Sequence, residues 1–315
     1  MNQVNYGNQY LKLVRDLVGW LADKGVPEYS SKFSRKDYTL HQHIVMLVLR
    51  SRERKTYRDF VEWLDVCDSI RIVLDLDKVP HYTALQKVAD RLPPSLFEEI
   101  LSYVGRLLVE DDCIMGIDGT GFSLRHSSRY YCSRIKRRDK HSNYLKTTIA
   151  GDMRTQAIVS ARLRLKRRHD SVDFKPVLRK ASKIVNMSTV VADKGYDSEE
   201  NMQFTESELH ARAVISLKNR DKPLDKTKGK LRRQLKRDFP LKTYHQRSKI
   251  ETIISVVKRK YGDTIQSRKH RTKKNECYLK LIAYNCQKAI NKLENLIRGF
   301  LQSQNLLKLL NNLWD

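Results

Sequence analysis

CIMGIDGTGFSL, residues 113–124, decides how this chain folds. An apolar run ends in a carboxylate, Asp118, and glycine follows at once. Short apolar runs bounded by Gly, Asp and Ser predict strands. Working outward, YLKTTIAGDM (144–153), AIVSARLRL (157–165), TVVADKGYD (189–197) and ARAVISLKN (211–219) have the same texture. Two helical segments separate the later runs: SVDFKPVLRKASKIV (171–185), with Asp170 or Ser171 as cap, and SEENMQFTESELHA (198–211). The predicted order is β-β-β-α-β-α-β, then a helix that contains Glu251. Three consecutive strands followed by βα alternation predict an α/β fold, a mixed sheet covered by helices.

At 315 residues the chain exceeds the usual single-domain size. The expected division is a helical region over 1–107, the α/β domain over 108–270 and C-terminal helices over 271–315. In the first, TLHQHIVMLVLRSRERKTYRDFVEWLD (39–65) has helical apolar spacing. PHYTALQKVADRL (80–92) offers Thr83 as an N-cap and stops before Pro93 and Pro94. Arg50, Arg52, Arg54, Lys55 and Arg58 make this region either a helix-turn-helix-like DNA reader or a small bundle with a solvated basic face. The last segment, with helical periodicity, would pack on the sheet or extend a dimer surface.

Sixty-two Lys and Arg against 36 Asp and Glu give a formal charge of +26. Such a surface favours polyanions through counterion release, which points to nucleic acid. The longest apolar run, Ile44 to Leu49, is too short for a membrane span, and the first residues lack the succession of a signal peptide. Five cysteines without a CxxC pair argue against a zinc site or disulfide framework and suit a reducing cytoplasm. Between residues 218 and 249 lie thirteen Lys or Arg, Arg232 and Arg233 among them, against three Asp. Much of this stretch is expected to be a mobile basic loop, either solvated or in contact with a phosphate backbone.

Three acids stand out by their flanks. Asp118 and Asp193 each end a predicted strand next to a glycine or one residue before it, where α/β sheets place ligands. Glu251 lies in YHQRSKIETIISVVKRKYG (244–262). On one helix, with Glu251 at zero, Tyr244 falls at about +20°, Arg247 at about −40° and Lys258 at about −20°. Apolar Ile250, Ile254, Val257 and Tyr261 lie beside this stripe, between about −60° and −120°. The stripe is either an edge that looks into a cleft or a surface with an ordinary Arg247–Glu251 ion pair. Were the three acids to meet, each carboxylate pair about 4 Å apart would repel by roughly 4 kcal/mol at an effective dielectric of 20. A divalent cation resolves that, and oxygen ligands suit Mg²⁺ or Mn²⁺.

IDGT at 117–120, ADKGYD at 192–197 and the Y-x2-R-x3-E-x6-K pattern at Tyr244, Arg247, Glu251 and Lys258 resemble the DDE transposases of prokaryotic insertion sequences, in the groups with the YREK signature. The resemblance covers about residues 113–262. It implies an RNase H-like domain in which Asp118, Asp193 and Glu251 are catalytic and hold two Mg²⁺ or Mn²⁺ ions. It also implies that Tyr244, Arg247 and Lys258 contact the DNA end. Only 57 residues separate Asp193 from Glu251, so a compact relative without the large β-rich insertion is expected. The implied activity is binding of terminal inverted repeats, hydrolytic cleavage and joining of 3′-hydroxyls to target DNA. Its partners would be double-stranded DNA and further copies of the chain, as a homodimer or higher oligomer, in the cytoplasm at the nucleoid. A nuclease without strand transfer and a non-catalytic DNA-binding descendant are the alternatives.

Other residues carry weaker signals. Lys194 would touch phosphate or be solvated. His169 and Asp170 would be an extra polar pair near the site, or Asp170 a simple helix cap. Thr120 and Tyr196 would shape the site loops. Tyr130 and Tyr131, among Arg125, Arg129 and Arg134, would stack on unpaired bases or pack in a turn.

Overall fold

In this computed structural model the described residues are 6–33, 35–124, 144–166 and 168–311, with the side chains of 6–11, 14 and 293–311 left aside. Residues 125–143 lie outside them, and with them Tyr130, Tyr131 and their arginines. The chain divides into two compact units, Met1–Arg91 with Cys286–Asp315, and Leu92–Asn285.

The first unit is helical: α1 (Tyr6–Asp23), α2 (Leu40–Arg52), α3 (Tyr57–Asp65), α4 (Asp68–Val73) and α5 (Tyr82–Arg91). Helix α2 starts in a capping box. The Thr39 hydroxyl accepts from the Gln42 amide and Gln42 Oε1 accepts from the Thr39 amide. Its apolar run is buried from Ile44 to Leu49. Helix α5 starts one residue before Thr83, so Thr83 is not the cap, and its hydroxyl instead pairs with the His81 ring at 2.8 Å. Arg50 lies over the Tyr57 ring at 4.1 Å and Arg58 over that of Tyr82 at 4.9 Å, so two of the clustered cations brace helix against helix.

The second unit holds α6 (Pro94–Arg106), β1 (Cys113–Leu124), β2 (Tyr144–Asp152), β3 (Ile158–Arg164), α7 (Ser171–Ser182), β4 (Met187–Ala192), α8 (Glu199–Ser207), β5 (Arg212–Ile215), α9 (Lys230–Arg237), α10 (Leu241–Tyr244), α11 (Ser248–Tyr261), β6 (Thr264–Ile265) and the start of α12 (His270–Asn311). The strands form one sheet in the order β3-β2-β1-β4-β5, with β6 beside β1. The first three strands are antiparallel, while β4 and β6 run parallel to β1, and β5 to β4. This is the mixed, helix-flanked sheet expected of an RNase H-like α/β domain.

Opposite residues on adjacent strands share a face, which tells what covers each side. Gly119 pairs with Thr148 and Gly121 with Lys146. Thr148 and Lys146 meet Asp173 of α7, so this face belongs to α7. On the other face, Cβ atoms placed on Gly116 and Gly151 would lie 3.4 and 3.1 Å from Ile250 and Ile253, so small residues let α11 press against the sheet. The buried side of α11 comprises Ile250, Ile253, Val257 and Tyr261. Ile253, not Ile254, completes it, which turns the apolar face further from the polar stripe than the wheel predicts. At its far end α11 is fixed by Lys280 of α12, whose buried ammonium donates to the carbonyls of Tyr261, Gly262 and Thr264 at 2.9, 3.0 and 2.9 Å. Among the described residues no helix is long and apolar enough to cross a membrane.

The basic stretch after residue 218 is not a loop throughout, because part of it forms α9. Glu199 accepts from the amides of Leu231 and Arg232 at 2.8 and 3.2 Å, which satisfies the open first turn of that helix. Gly229 allows this approach: its φ is +96°, and a Cβ there would overlap the Glu199 carboxylate. Arg232 then clasps Asp197 with two hydrogen bonds of 2.9 and 2.8 Å.

Candidate active site

Strand register builds the site. Ile117 of β1 pairs with Ala192 of β4 in parallel, so the next residues, Asp118 and Asp193, emerge side by side from strands about 4.8 Å apart. Each carboxylate accepts from the amide that follows it, Asp118 Oδ1 from Gly119 and Asp193 Oδ1 from Lys194, both at 2.7 Å. Asp118 shares its face with Gly116 and hence with α11, which carries Glu251 one residue after the buried Ile250.

The polar stripe is made from three pieces, not one helix: α10, a 3₁₀ turn over His245–Arg247, and α11. Arg247 Nη2 pairs with Glu251 Oε1 at 2.8 Å, with the guanidinium largely enclosed and the carboxylate half exposed. Its guanidinium carbon is 5.9 Å from the Tyr244 ring. That ring meets Phe239 at 5.1 Å, and Arg220 lies over Phe239 at 4.9 Å. Lys258 Nζ lies 5.7 Å above the Phe122 ring of β1. Lys194 and Arg233 are exposed, whereas the fork of Arg232 is taken by Asp197, whose side chain is fully buried.

Electrostatics joins these groups. Burial pushes the Asp118 carboxyl above the usual carboxylate range; the Gly119 amide and Arg247 oppose the rise, and Glu251 and Asp193 add to it. Burial lowers the Arg247 pKa, but Tyr244, Glu251 and Asp193 outweigh it, and the net value is raised. Tyr196 is buried and held neutral, first by burial and then by Asp118, Asp170, Asp173 and Asp193. Its hydroxyl has no hydrogen-bond partner among the described residues.

In kind, these donors fit a hard divalent cation: three carboxylates, of which Asp118 has its proton affinity raised by the charges of the other two as well as by burial, beside an orphaned buried hydroxyl. In spacing, no three His, Cys, Asp or Glu among the described residues stand close enough to hold one ion. Glu251 is turned to Arg247, so the carboxylates must draw together for shared ligation.

Asp197 and Glu199 were not singled out by sequence, although Asp197 closes the ADKGYD run. It binds the Lys218 amide at 2.7 Å as well as Arg232, so it ties the loop after β4 to the basic segment. Lys146 was also missed, its charge lying inside an apolar strand pattern. His169 accepts from the Ser171 amide at 3.3 Å, a local bond at the start of α7.

A protein family described as "Transposase DDE domain" matches residues 110–286. Among solved structures the chain is similar to the piggyBac transposase synaptic complex with hairpin DNA, seen by cryo-EM, at 10% identity and a TM-score of 0.44, over 92% of this chain and 76% of that one. No curated protein matches the sequence.

Proposed function

The chain belongs to the family of DDE transposase domains, and from that premise we propose that it binds the terminal inverted repeats of its own element, cleaves them by hydrolysis and joins the 3′-hydroxyls to target DNA. The observation that carries this reading is the pairing of Ile117 with Ala192, which brings Asp118 and Asp193 out together on a sheet whose α11 face carries Glu251. Enzymes of this family generally use divalent metal ions. Asp118, Asp193 and Glu251 would hold them here, two Mg²⁺ or Mn²⁺ per site. Bound there, the ions would activate a water or 3′-hydroxyl and stabilise the leaving oxygen.

The protein's own groups position the strand. Arg247 and Lys258 supply cations on the α11 stripe, and Tyr244 offers a ring backed by Phe239. These three, with Glu251, support membership of the YREK subgroup. Lys194 and Arg233 present free charge to phosphate, while Arg232 serves binding by pinning α9. The α2–α5 helices, with their basic cluster, would read the element end as a helix-turn-helix-like module. Work on two ends calls for a homodimer or higher assembly on the DNA.

The test is cleavage of a labelled element end in Mg²⁺. Asp118→Asn or Glu251→Gln is expected to reduce it by about 10³-fold or more, the scale of losing a main transition-state contact. Unchanged cleavage in either variant rejects the site. Transfer of the labelled end into a second DNA separates a transposase from a nuclease that stops at hydrolysis.

A further inference from the structure

Arg247 stands at the joint between the 3₁₀ turn and α11. The turn packs against β4, whose end leads into Asp193, and α11 packs against β1, which carries Asp118. Nη2 of Arg247 pairs with Glu251 Oε1 at 2.8 Å, and the arginine side chain is only 21% exposed, against 53% for the glutamate. Electrostatically the guanidinium is coupled to each acid. It opposes the rise that burial gives the Asp118 pKa, and Glu251 and Asp193 help to outweigh the burial that lowers its own. Arg247 is thus a single cation shared by the three carboxylates. That accounts for their spacing, since no three acids among the described residues stand close enough to hold an ion.

A guanidinium in this place competes with a divalent cation. It occupies Glu251 Oε1 and its charge repels a second cation nearby. For Glu251 to join the two aspartates, Arg247 needs another anion. The pair is weak enough to exchange, being an i,i+4 contact whose carboxylate is half exposed. A phosphodiester is a suitable replacement, because its two free oxygens match the fork of a guanidinium. The DNA strand that the site is read to cut would bring that anion with it. Lys249 offers a contrast on the same helix: it carries the same charge about 160° around the axis from Glu251, away from this pair.

We propose that Arg247 is the internal counter-cation of the DNA-free site: it holds Glu251 until a phosphate of the DNA strand replaces the carboxylate, so that strand and metal cation each favour binding of the other. By linkage the two gains are equal. This rests on the reading of Asp118, Asp193 and Glu251 as cation ligands. The first test is titration of the full chain, without DNA, with Mn²⁺ as the probe, free ion being followed by electron paramagnetic resonance. Arg247→Gln is expected to tighten Mn²⁺ binding by about 5-fold or more, and Lys249→Gln to change it by less than about 2-fold. Where Asp118→Asn weakens binding, an unchanged or weaker affinity in Arg247→Gln, or equal tightening in the two cation variants, overturns the role of Arg247 alone. Unchanged affinity in Asp118→Asn overturns the carboxylate site and this inference with it. The second test is metal-free binding of a labelled DNA duplex, read by fluorescence anisotropy in a chelator. Glu251→Gln releases the guanidinium and is expected to tighten duplex binding by about 2- to 5-fold, the scale of a partly exposed ion pair. In an Arg247→Gln background the same substitution is expected to gain less. An equal gain in both backgrounds, or no gain in Glu251→Gln alone, rejects the proposal.

Discussion

At Asp118 the acid is placed where its charge is costly. Its carboxyl is buried and its pKa raised, with Glu251 and Asp193 pushing in the same direction as burial. A carboxyl that binds its proton more tightly folded than unfolded reduces stability as pH rises from the unfolded value of 3.8 through the higher folded one. In metal-free protein, Asp118→Asn is therefore expected to raise the thermal midpoint near neutral pH, and the gain is expected to vanish below pH 3.8, where both forms are neutral in either state. Calorimetry at the two pH values checks it; a variant less stable at neutral pH contradicts the charge argument. Arg232 and Arg233 make a second contrast at this scale. Arg232 is bidentate to the fully buried Asp197, so Arg232→Ala leaves a buried charge unpaired and is expected to destabilise by about 3 kcal/mol. Arg233 is exposed, with Nε on the Gly229 carbonyl. Arg233→Ala is expected to leave stability within about 0.5 kcal/mol and to lessen the salt slope of DNA binding by about one. Urea midpoints together with binding at several salt concentrations distinguish the two roles.

Elements were legible where one local signal sufficed. Strands β1 to β5 announce themselves as apolar runs, and the acids at their ends follow from that pattern. Helix α9 does not, because KLRRQLKR offers only two apolar residues, Leu231 and Leu235, in a run dense in charge, and its first turn is satisfied from a distance by Glu199. The stripe around Glu251 was legible in spacing but not in its break into α10, a 3₁₀ turn and α11. Asp170 looked like a cap because sequence shows its position, not the Lys146 that draws its side chain away. The setting of α11 likewise depends on a residue from another element. Lys280 donates to three carbonyls at the end of α11, where a cation also complements the helix dipole. Lys280→Met strands those acceptors in a buried setting and is expected to cost about 2–4 kcal/mol. If Glu251 acts through its place on this helix, the variant is also expected to lose end cleavage under conditions where it remains folded. Full stability, measured by denaturant unfolding, would show that packing alone fixes α11.

For the whole molecule the governing quantity is a charge of +26 on 315 residues. Acids are not scarce; several are consumed in holding cations in place, as Asp173 holds Arg162 and Arg164, and Asp197 holds Arg232. The cations left on the surface gain by releasing counterions from DNA, and that gain shrinks as salt rises. A protein that neutralises 6–10 phosphates is expected to lose about 10³–10⁵ in affinity between 50 and 200 mM salt. Element-end and unrelated duplexes should therefore both bind this chain less tightly as salt rises. The difference between them should change little, because base contacts release few ions. Fluorescence anisotropy with both duplexes over that range measures the two slopes. A slope near zero would remove the polyelectrolyte basis for the DNA assignment, and identical affinities at every salt concentration would remove the recognition of a particular end.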